Sequence, residues 1–211
     1  MYLVPVSKLY FMFRILFFVF FSLLLNPCFA QYNWKLEKQK NGISVFLSDV
    51  ANSSFKAVKV ECTLPGTYAK LIALLTNVSN LSTWIYNNKS SRMLQKNSPL
   101  DYIYHSETYM PWPLSNRDAV IHFRIKTDSL PKFLSISGSG EPKFTPNISG
   151  KVRVPHYKAS WKVTMPTSKT IQISYFLEID PGGSIPAWLA NSFAEKGPYG
   201  TFSNLAEQLK K

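Results

Sequence analysis

The side chains that could perform acid–base chemistry are few in this sequence. Among three His residues, His105 lies two positions before Glu107, so on a strand both would share one face and could act as an acid–base pair. The chain contains neither a His-Glu-x-x-His nor a Gly-x-Ser-x-Gly segment. Catalysis by His105 and Glu107 therefore stays open as an alternative, and neither a metal site nor a cofactor is predicted.

Arg117 and Asp118 form a second pair, directly after a proline-rich loop. Neighbouring residues of a strand point to opposite faces, so the two cannot both enter one cavity. They could fix the preceding loop to a sheet through charge-assisted hydrogen bonds, or they could contact the polar head of a ligand. Cys62 lies in a strand-like segment and is expected to be a buried, inert thiol.

Two periodicities predict the elements that must position these residues. Apolar residues at three- and four-residue spacing predict a helix after Thr67 and another within Ser184–Lys210, where Gly197-Pro198 should kink or split it. Alternation of apolar and polar residues predicts strands, with a turn at Asn41-Gly42. A short amphipathic piece at 34–40 precedes the expected strands, which are residues 43–47, 55–64, 102–110, 119–127, 133–138, 151–156, 160–165 and 171–179.

This order of elements predicts the α+β class. Most strands are adjacent in sequence, so an antiparallel meander is the simplest topology. A curved antiparallel sheet must cover its apolar face, and the C-terminal helix is the candidate cover. Alternate residues from Ala119 to Ile125 should face the helix or a cavity, and those from Val120 to Lys126 should face the opposite side.

The first 30 of the 211 residues have the pattern of an export signal. Lys8 and Arg14 precede the apolar run Ile15–Leu25, which is shorter than the roughly 20 residues of a membrane-spanning helix. Small residues then occupy the −3 and −1 positions before a cleavage point after Ala30. The pattern predicts a signal peptide at 1–30 and a periplasmic or secreted protein, with an uncleaved N-terminal anchor as the alternative.

Residues 31–211 are expected to form one domain with its own core. The chain has a net charge of +12, of which Lys8 and Arg14 contribute two, so this domain carries +10. The scattered Lys residues are typical of a solvated surface, and they could also draw the protein transiently to an anionic membrane. No recognised nucleic-acid-binding motif occurs, and a monomer is expected.

Three segments, in order, resemble the START family of lipid-binding domains. Residues 111–118, PWPLSNRD, are similar to the segment before a central strand of the family, and residues 151–153, KVR, to its V-R strand. Residues 180–191, DPGGSIPAWLAN, are similar to the start of its terminal helix. Trp34 and Gly42–Val45 resemble its opening, so the resemblance spans residues 32–210.

The resemblance implies a helix-grip fold, in which a curved antiparallel sheet wraps around a long C-terminal helix over an internal hydrophobic cavity. It implies that residues 31–211 bind a lipid-like molecule, such as a sterol, phospholipid or ceramide, and carry it between membranes or extract it from them. No metal or cofactor is implied. The alternatives are a helix-grip enzyme that uses His105 and Glu107, and an interaction module with a filled core and no ligand.

The expected cavity walls come from several strands and the terminal helix. Phe123 stands where some family members carry a charged residue, so Arg153 is the expected cation if it points inward, and Trp112 is expected at a mouth. The candidate ligand-contacting residues are Tyr102, Tyr104, Trp112, Ile121, Phe123, Arg153, Ile173, Tyr175, Leu177, Trp188 and Phe193. Structural roles are expected for Arg117, Asp118, Asp180, Gly183, Pro186 and Asn191.

Overall fold

The computed structural model describes residues 32–211, and the predicted signal peptide lies outside them. This part of the chain forms ten strands, two α-helices and a 3₁₀ helix at Val78–Thr83. The helices are α1 at Tyr68–Thr76 and α2 at Ala187–Lys210. The strands are β1 Lys35–Lys40, β2 Ile43–Ser48, β3 Ala57–Pro65, β4 Asn88–Ser98, β5 Asp101–Thr108, β6 Asn116–Lys126, β7 Leu134–Gly140, β8 Lys151–Arg153, β9 His156–Thr167 and β10 Thr170–Asp180.

The ten strands form one curved sheet in the order β1-β2-β3-β10-β9-β7-β6-β5-β4, with β8 beside β6. The β6–β8 pairing is parallel, and the other described pairings are antiparallel. Asn41 and Gly42, with φ of 52° and 74°, make the two-residue turn between β1 and β2 that this dipeptide favours. The predicted antiparallel sheet is therefore confirmed.

Helix α2 covers the inner face of the sheet and packs against β2 and β3. Phe202, Leu205 and Leu209 of α2 are fully buried in the core. Helix α1 begins after Thr67, whose hydroxyl accepts a hydrogen bond from the Lys70 backbone N–H at 3.3 Å. The two helices thus bury the apolar face of the sheet, as the pattern of residues predicts.

Of the two outcomes predicted at Gly197-Pro198, a kink or a split, the structure excludes the split. Helix α2 runs through Pro198, because the apolar residues that follow the proline are buried against the sheet, which offsets a cost of roughly 3 kcal/mol. Strand β4 was not predicted, because it is a mostly exposed polar strand at the edge of the sheet and so lacks alternation. The amphipathic piece at 34–40 is the edge strand β1.

Candidate functional site

A cavity of about 320 Å³ lies between the inner face of the sheet and helix α2. Its walls are mainly apolar and aromatic, which is usual for sites that take up small organic molecules. Seven of the predicted ligand-contacting residues line it, namely Tyr102, Tyr104, Ile121, Phe123, Tyr175, Leu177 and Phe193. Such a space can take a hydrophobic molecule out of water.

Strands β5 and β6 supply one aromatic wall of the cavity. Their register pairs Tyr102 with Phe123 and Tyr104 with Ile121, so the four side chains stand side by side on the inner face. The ring centroids of Tyr102 and Phe123 are 5.5 Å apart. The Tyr102 hydroxyl donates a hydrogen bond of 2.8 Å to the carbonyl oxygen of Leu75, so it holds α1 to the sheet.

Tyr157 of β9 also lines the cavity, although the sequence patterns do not single it out. It shares a hydrogen bond with Tyr175. Burial raises the pKa of Tyr157 to about 12 and that of Tyr175 well above its usual value, so both hydroxyls are neutral. The missed signal is the alternation of Tyr157 with Ala159 and Trp161, which begins before the predicted strand.

Arg117 of β6 lines the cavity and is 6% exposed. Its guanidinium donates hydrogen bonds to the carbonyl oxygens of Ser115, Pro181 and Gly182, the last at 3.2 Å. Burial lowers the pKa of Arg117, because a desolvated cation is disfavoured. These bonds tie the proline-rich loop before β6 to the loop before α2.

Asp118 points to the outer face of β6 and is 1% exposed. Its Oδ2 lies 2.8 Å from a guanidinium nitrogen of Arg153 and 3.1 Å from Nε2 of His105. Arg153 also donates to the carbonyl oxygens of Pro142 and Thr145, which holds the loop before β8 over this face. The expectation that Arg153 is a cavity cation is therefore wrong, because β8 lies beside β6 with Arg153 opposite the outward-facing Asp118.

Glu107 lies on the same outer face. Burial favours a higher pKa for Glu107, but its hydrogen bonds outweigh this effect and lower the pKa to about 2. His105 pairs instead with Asp118, and burial lowers the pKa of His105. His105 and Glu107 do not line the cavity and do not form the acid–base pair that their spacing suggests. The hydrogen-bond donors to the Glu107 carboxylate are Lys89, Asn116 and Lys151.

The motif residues before α2 shape a tight connection. The Asp180 carboxylate accepts a hydrogen bond of 2.8 Å from the Gly182 N–H, and Pro186 is the N-cap residue of α2. Gly182 and Gly183 have φ of 67° and 68°, in the left-handed region that favours glycine. A Cβ on Gly182 would lie 2.9 Å from the carbonyl oxygen of Arg153, so this position has no room for a side chain.

Asn191 joins α2 to the connection between β2 and β3. Its Oδ1 accepts a hydrogen bond of 3.1 Å from the Lys56 N–H, and its Nδ2 donates one of 3.2 Å to the carbonyl oxygen of Ser54. Asn191 and Lys56 both line the cavity. The amide therefore helps to close one side of the cavity beneath the helix.

The START domain family model matches residues 22–210 of the sequence. The chain belongs to the START domain family. This START domain is 32% identical over 180 residues to an uncharacterised protein of Pseudomonas aeruginosa, across 85% of this chain and 88% of the relative. It is 26% identical over 179 residues to the phosphatidylcholine transfer protein of Mus musculus, across 82% of each.

A solved structure of a STAR-related lipid transfer protein from Xanthomonas axonopodis resembles this START domain with a TM-score of 0.77 and 29% sequence identity. The match covers 84% of this chain and 99% of that chain. The resemblance found in the sequence and the helix-grip fold that it implies are thereby confirmed.

Three further predicted contact residues of this START domain do not line the cavity. Trp112 and Trp188 are 91% and 72% exposed, so they belong to the outer surface. Ile173 is buried in the packed core on β10, away from the cavity walls. The inner face of the sheet thus continues beyond the cavity as an ordinary core.

Residues 32–211 contain no group of three or more His, Cys, Asp and Glu side chains that could hold a metal ion. No helix within the same residues is long and apolar enough to cross a membrane. Cys62 is buried on β3, and burial raises its pKa to about 12, so the thiol stays protonated at neutral pH.

Proposed function

We propose that this START domain takes one lipid-like molecule into its cavity and carries it between membranes. The observation that carries the proposal is the 320 Å³ space beneath α2, walled by aromatic and aliphatic side chains. A module that acts through its surface alone would gain nothing from leaving this space unfilled, since empty core volume costs stability. The names of the relatives, phosphatidylcholine transfer protein and STAR-related lipid transfer protein, support the same function.

Binding, rather than catalysis, is proposed because the acid–base candidates are engaged elsewhere. His105 bonds Asp118, and Glu107 accepts hydrogen bonds from three donors, all on the outer face of the sheet. The described cavity walls carry no His, Asp or Glu side chain. The His and the carboxylates that most often act as general acids and bases therefore do not face a molecule in the cavity.

Native mass spectrometry of the expressed chain tests the binding proposal. After incubation with vesicles, a mass increment equal to one lipid per chain is the expected result, and the monomeric state that we also propose is read from the same spectra. Protein that stays free of lipid in every vesicle composition, although folded by circular dichroism, would contradict the proposal.

Two exposed Trp side chains support contact with a membrane. Trp112 lies on the loop before β6, and Trp188 lies in the first turn of α2. Trp is favoured at the boundary between lipid and water because its ring is apolar and its N–H is polar. Arg117 ties the two loops that lead to these residues, so we expect the Trp112 loop and the start of α2 to move together when a ligand enters.

A transfer assay between donor and acceptor vesicles tests the role of Trp112. Trp112→Ala should slow transfer by roughly tenfold, because an interfacial ring is lost, while the free energy of unfolding changes by less than about 0.5 kcal/mol. Phe144→Ala is the matched control, because Phe144 is also exposed but lies in the loop over the outer face. Equal transfer rates for the two variants would refute a membrane role of the Trp112 loop.

We propose that the protein is exported by a signal peptide at residues 1–30. The basic, apolar and small-residue order of this segment supports the proposal. N-terminal sequencing of the protein recovered from a secretion-competent host should begin at Gln31. A mature protein that begins at Met1 and sediments with membranes would favour the uncleaved anchor instead.

A further inference from the structure

Two cationic side chains line the cavity, and its described walls carry no Asp or Glu. The Lys56 ammonium is paired with the Asp49 carboxylate at 2.6 Å, so its charge is offset from outside the cavity. Arg117 forms no ion pair with any described residue, and its partners are carbonyl oxygens. The cavity therefore holds one buried positive charge that the protein does not neutralise.

A buried cation of this kind is costly to the protein alone. Carbonyl oxygens carry only partial charge, so they satisfy the N–H groups of a guanidinium without cancelling its unit charge. A guanidinium also presents five N–H donors in a planar fork, which fits the two oxygens of a carboxylate or phosphate. A ligand with an oxyanion would supply the missing charge.

The described cavity walls offer no carboxylate to a ligand cation. Thr108 is paired with Arg117, and Ser106 with Ala119, across β5 and β6, and all four residues line the cavity. A quaternary ammonium group is recognised by a cage of aromatic faces or by a carboxylate. The paired positions beside Arg117 offer two hydroxyl-bearing side chains, a methyl group and a cation, so a ligand cation placed there would lie next to the Arg117 charge.

The rest of β6 provides an apolar path away from Arg117. Ala119, Ile121 and Phe123 follow at alternate positions on the same face, so the wall extends about 20 Å along the strand from Arg117 to Phe123. One end of the cavity is thus cationic and the other is aromatic. This polarity matches a molecule with an acidic head and a hydrocarbon tail.

We propose that Arg117 anchors the oxyanion of a net-negative lipid, a carboxylate or a phosphate, and that the cavity selects such lipids over zwitterionic ones. The inference rests on the proposed lipid-binding function and names the class of ligand. A zwitterionic lipid could also place its phosphate at Arg117, but it would bring a second cation for which the described walls carry no carboxylate.

Competition between two lipids with identical tails tests the selection. The expressed chain is incubated with vesicles of equal phosphatidylglycerol and phosphatidylcholine content, and bound lipid is identified by native mass spectrometry. The wild-type protein should carry phosphatidylglycerol in about tenfold excess, because phosphatidylcholine brings an ammonium group that meets no carboxylate in the described walls. Equal loading of the two lipids would overturn the inference, and loading of neither would overturn the proposed function itself.

Arg117→Gln should bring the ratio of the two lipids close to one in the lipid that the folded variant still carries. Arg124→Gln is the matched control, because it removes the same charge from the same strand, on its exposed outer side. Arg124→Gln should keep the wild-type ratio, which excludes a general effect of net charge on attraction to acidic vesicles. A wild-type ratio in the folded Arg117→Gln variant would overturn the inference.

Arg117→Lys distinguishes the two roles of Arg117, which are to anchor the lipid oxyanion and to donate hydrogen bonds to the two loops. It retains the cation but cannot reproduce the planar fork, so we expect reduced thermal stability with the preference for phosphatidylglycerol largely kept. Excess inorganic phosphate, added as a competitor, distinguishes a lipid head from a free anion. Phosphate should leave the bound lipid in place, and release of the lipid by phosphate alone would show that the site takes the free anion and would overturn lipid selection.

Discussion

Arg117 and Arg153 are both nearly inaccessible to solvent, yet only Arg153 has a carboxylate beside its guanidinium. Arg153 lies on the outer side of the sheet, 2.8 Å from the carboxylate of Asp118, and its side chain is 7% exposed. Arg117 is the residue before Asp118, points to the inner side and contacts carbonyl oxygens. The protein itself neutralises the charge of Arg153. The charge of Arg117 is neutralised only when a ligand supplies a negative charge.

The difference shows how one strand can serve two purposes. The outer face of β5 and β6 is closed by ion pairs and by the loop before β8, so it is a fixed part of the fold. The inner face of the same strands lines the cavity. Substitutions on the outer face should therefore change stability, and those on the inner face should change ligand binding.

Asp118→Asn should cause the largest loss of stability, about 3–5 kcal/mol in the free energy of unfolding, because it leaves Arg153 buried without a counter-charge. Urea denaturation measures the loss. Asp101→Asn is the control, since the Asp101 side chain is 33% exposed beside His122 and Arg124, and should cost less than about 1 kcal/mol. Similar losses of stability in the two variants would show that the buried Asp118–Arg153 pair contributes no more than an exposed ion pair.

Ala119→Phe and Val120→Phe compare the two faces at neighbouring positions. The ring at 119 enters the cavity, so the variant should lose most of its bound lipid in native mass spectra with a change in stability below about 1 kcal/mol. Val120 is 1% exposed on the opposite face, where the added ring should cost about 1–3 kcal/mol and leave lipid binding by the folded protein intact. If Val120→Phe lost the lipid and Ala119→Phe lost stability instead, the inner and outer faces of β6 would be assigned the wrong way round.

Glu107→Gln should change the response of stability to acid. The pKa of Glu107 in the folded protein is about 2, below the unfolded value of roughly 4.3, so its contribution is complete above the unfolded value and is lost as pH falls through about 2. Between about pH 5 and pH 2, the wild-type protein should lose roughly 2–3 kcal/mol more than the variant. Urea titrations across this pH range measure the free energy of unfolding of both proteins. If the two free energies fell with pH along parallel curves, the prediction would be contradicted.

Much of this architecture can be predicted from the sequence. The apolar residues at Ala119, Ile121 and Phe123 alternate cleanly, and the structure places all three on the cavity wall. The segments at 111–118 and 180–191 indicate the family, because several weak motifs occur in the right order. Local periodicity reports which face of an element is buried, and that information is sufficient for a sheet covered by a helix.

The role of each arginine could not be predicted in the same way. The alternation along β6 puts Arg117 on the inner face and Asp118 on the outer face, but it does not say which of the two charges has a partner. Arg153 is on the outer face because the register of β8 places it opposite Asp118, and the pairing of such distant segments leaves no periodic signal in the sequence. Tyr157 was missed because β9 begins four residues before the predicted strand.

Strand β4 has a consequence beyond the cavity. It ends the sheet with exposed polar residues and three irregularities in its pairing with β5. At the other end, β1 carries Lys35, Lys38 and Lys40. Irregular or lysine-bearing edges are poor templates for another strand, so a ten-stranded sheet with two open ends is protected from growing into fibrils along its hydrogen-bonding direction.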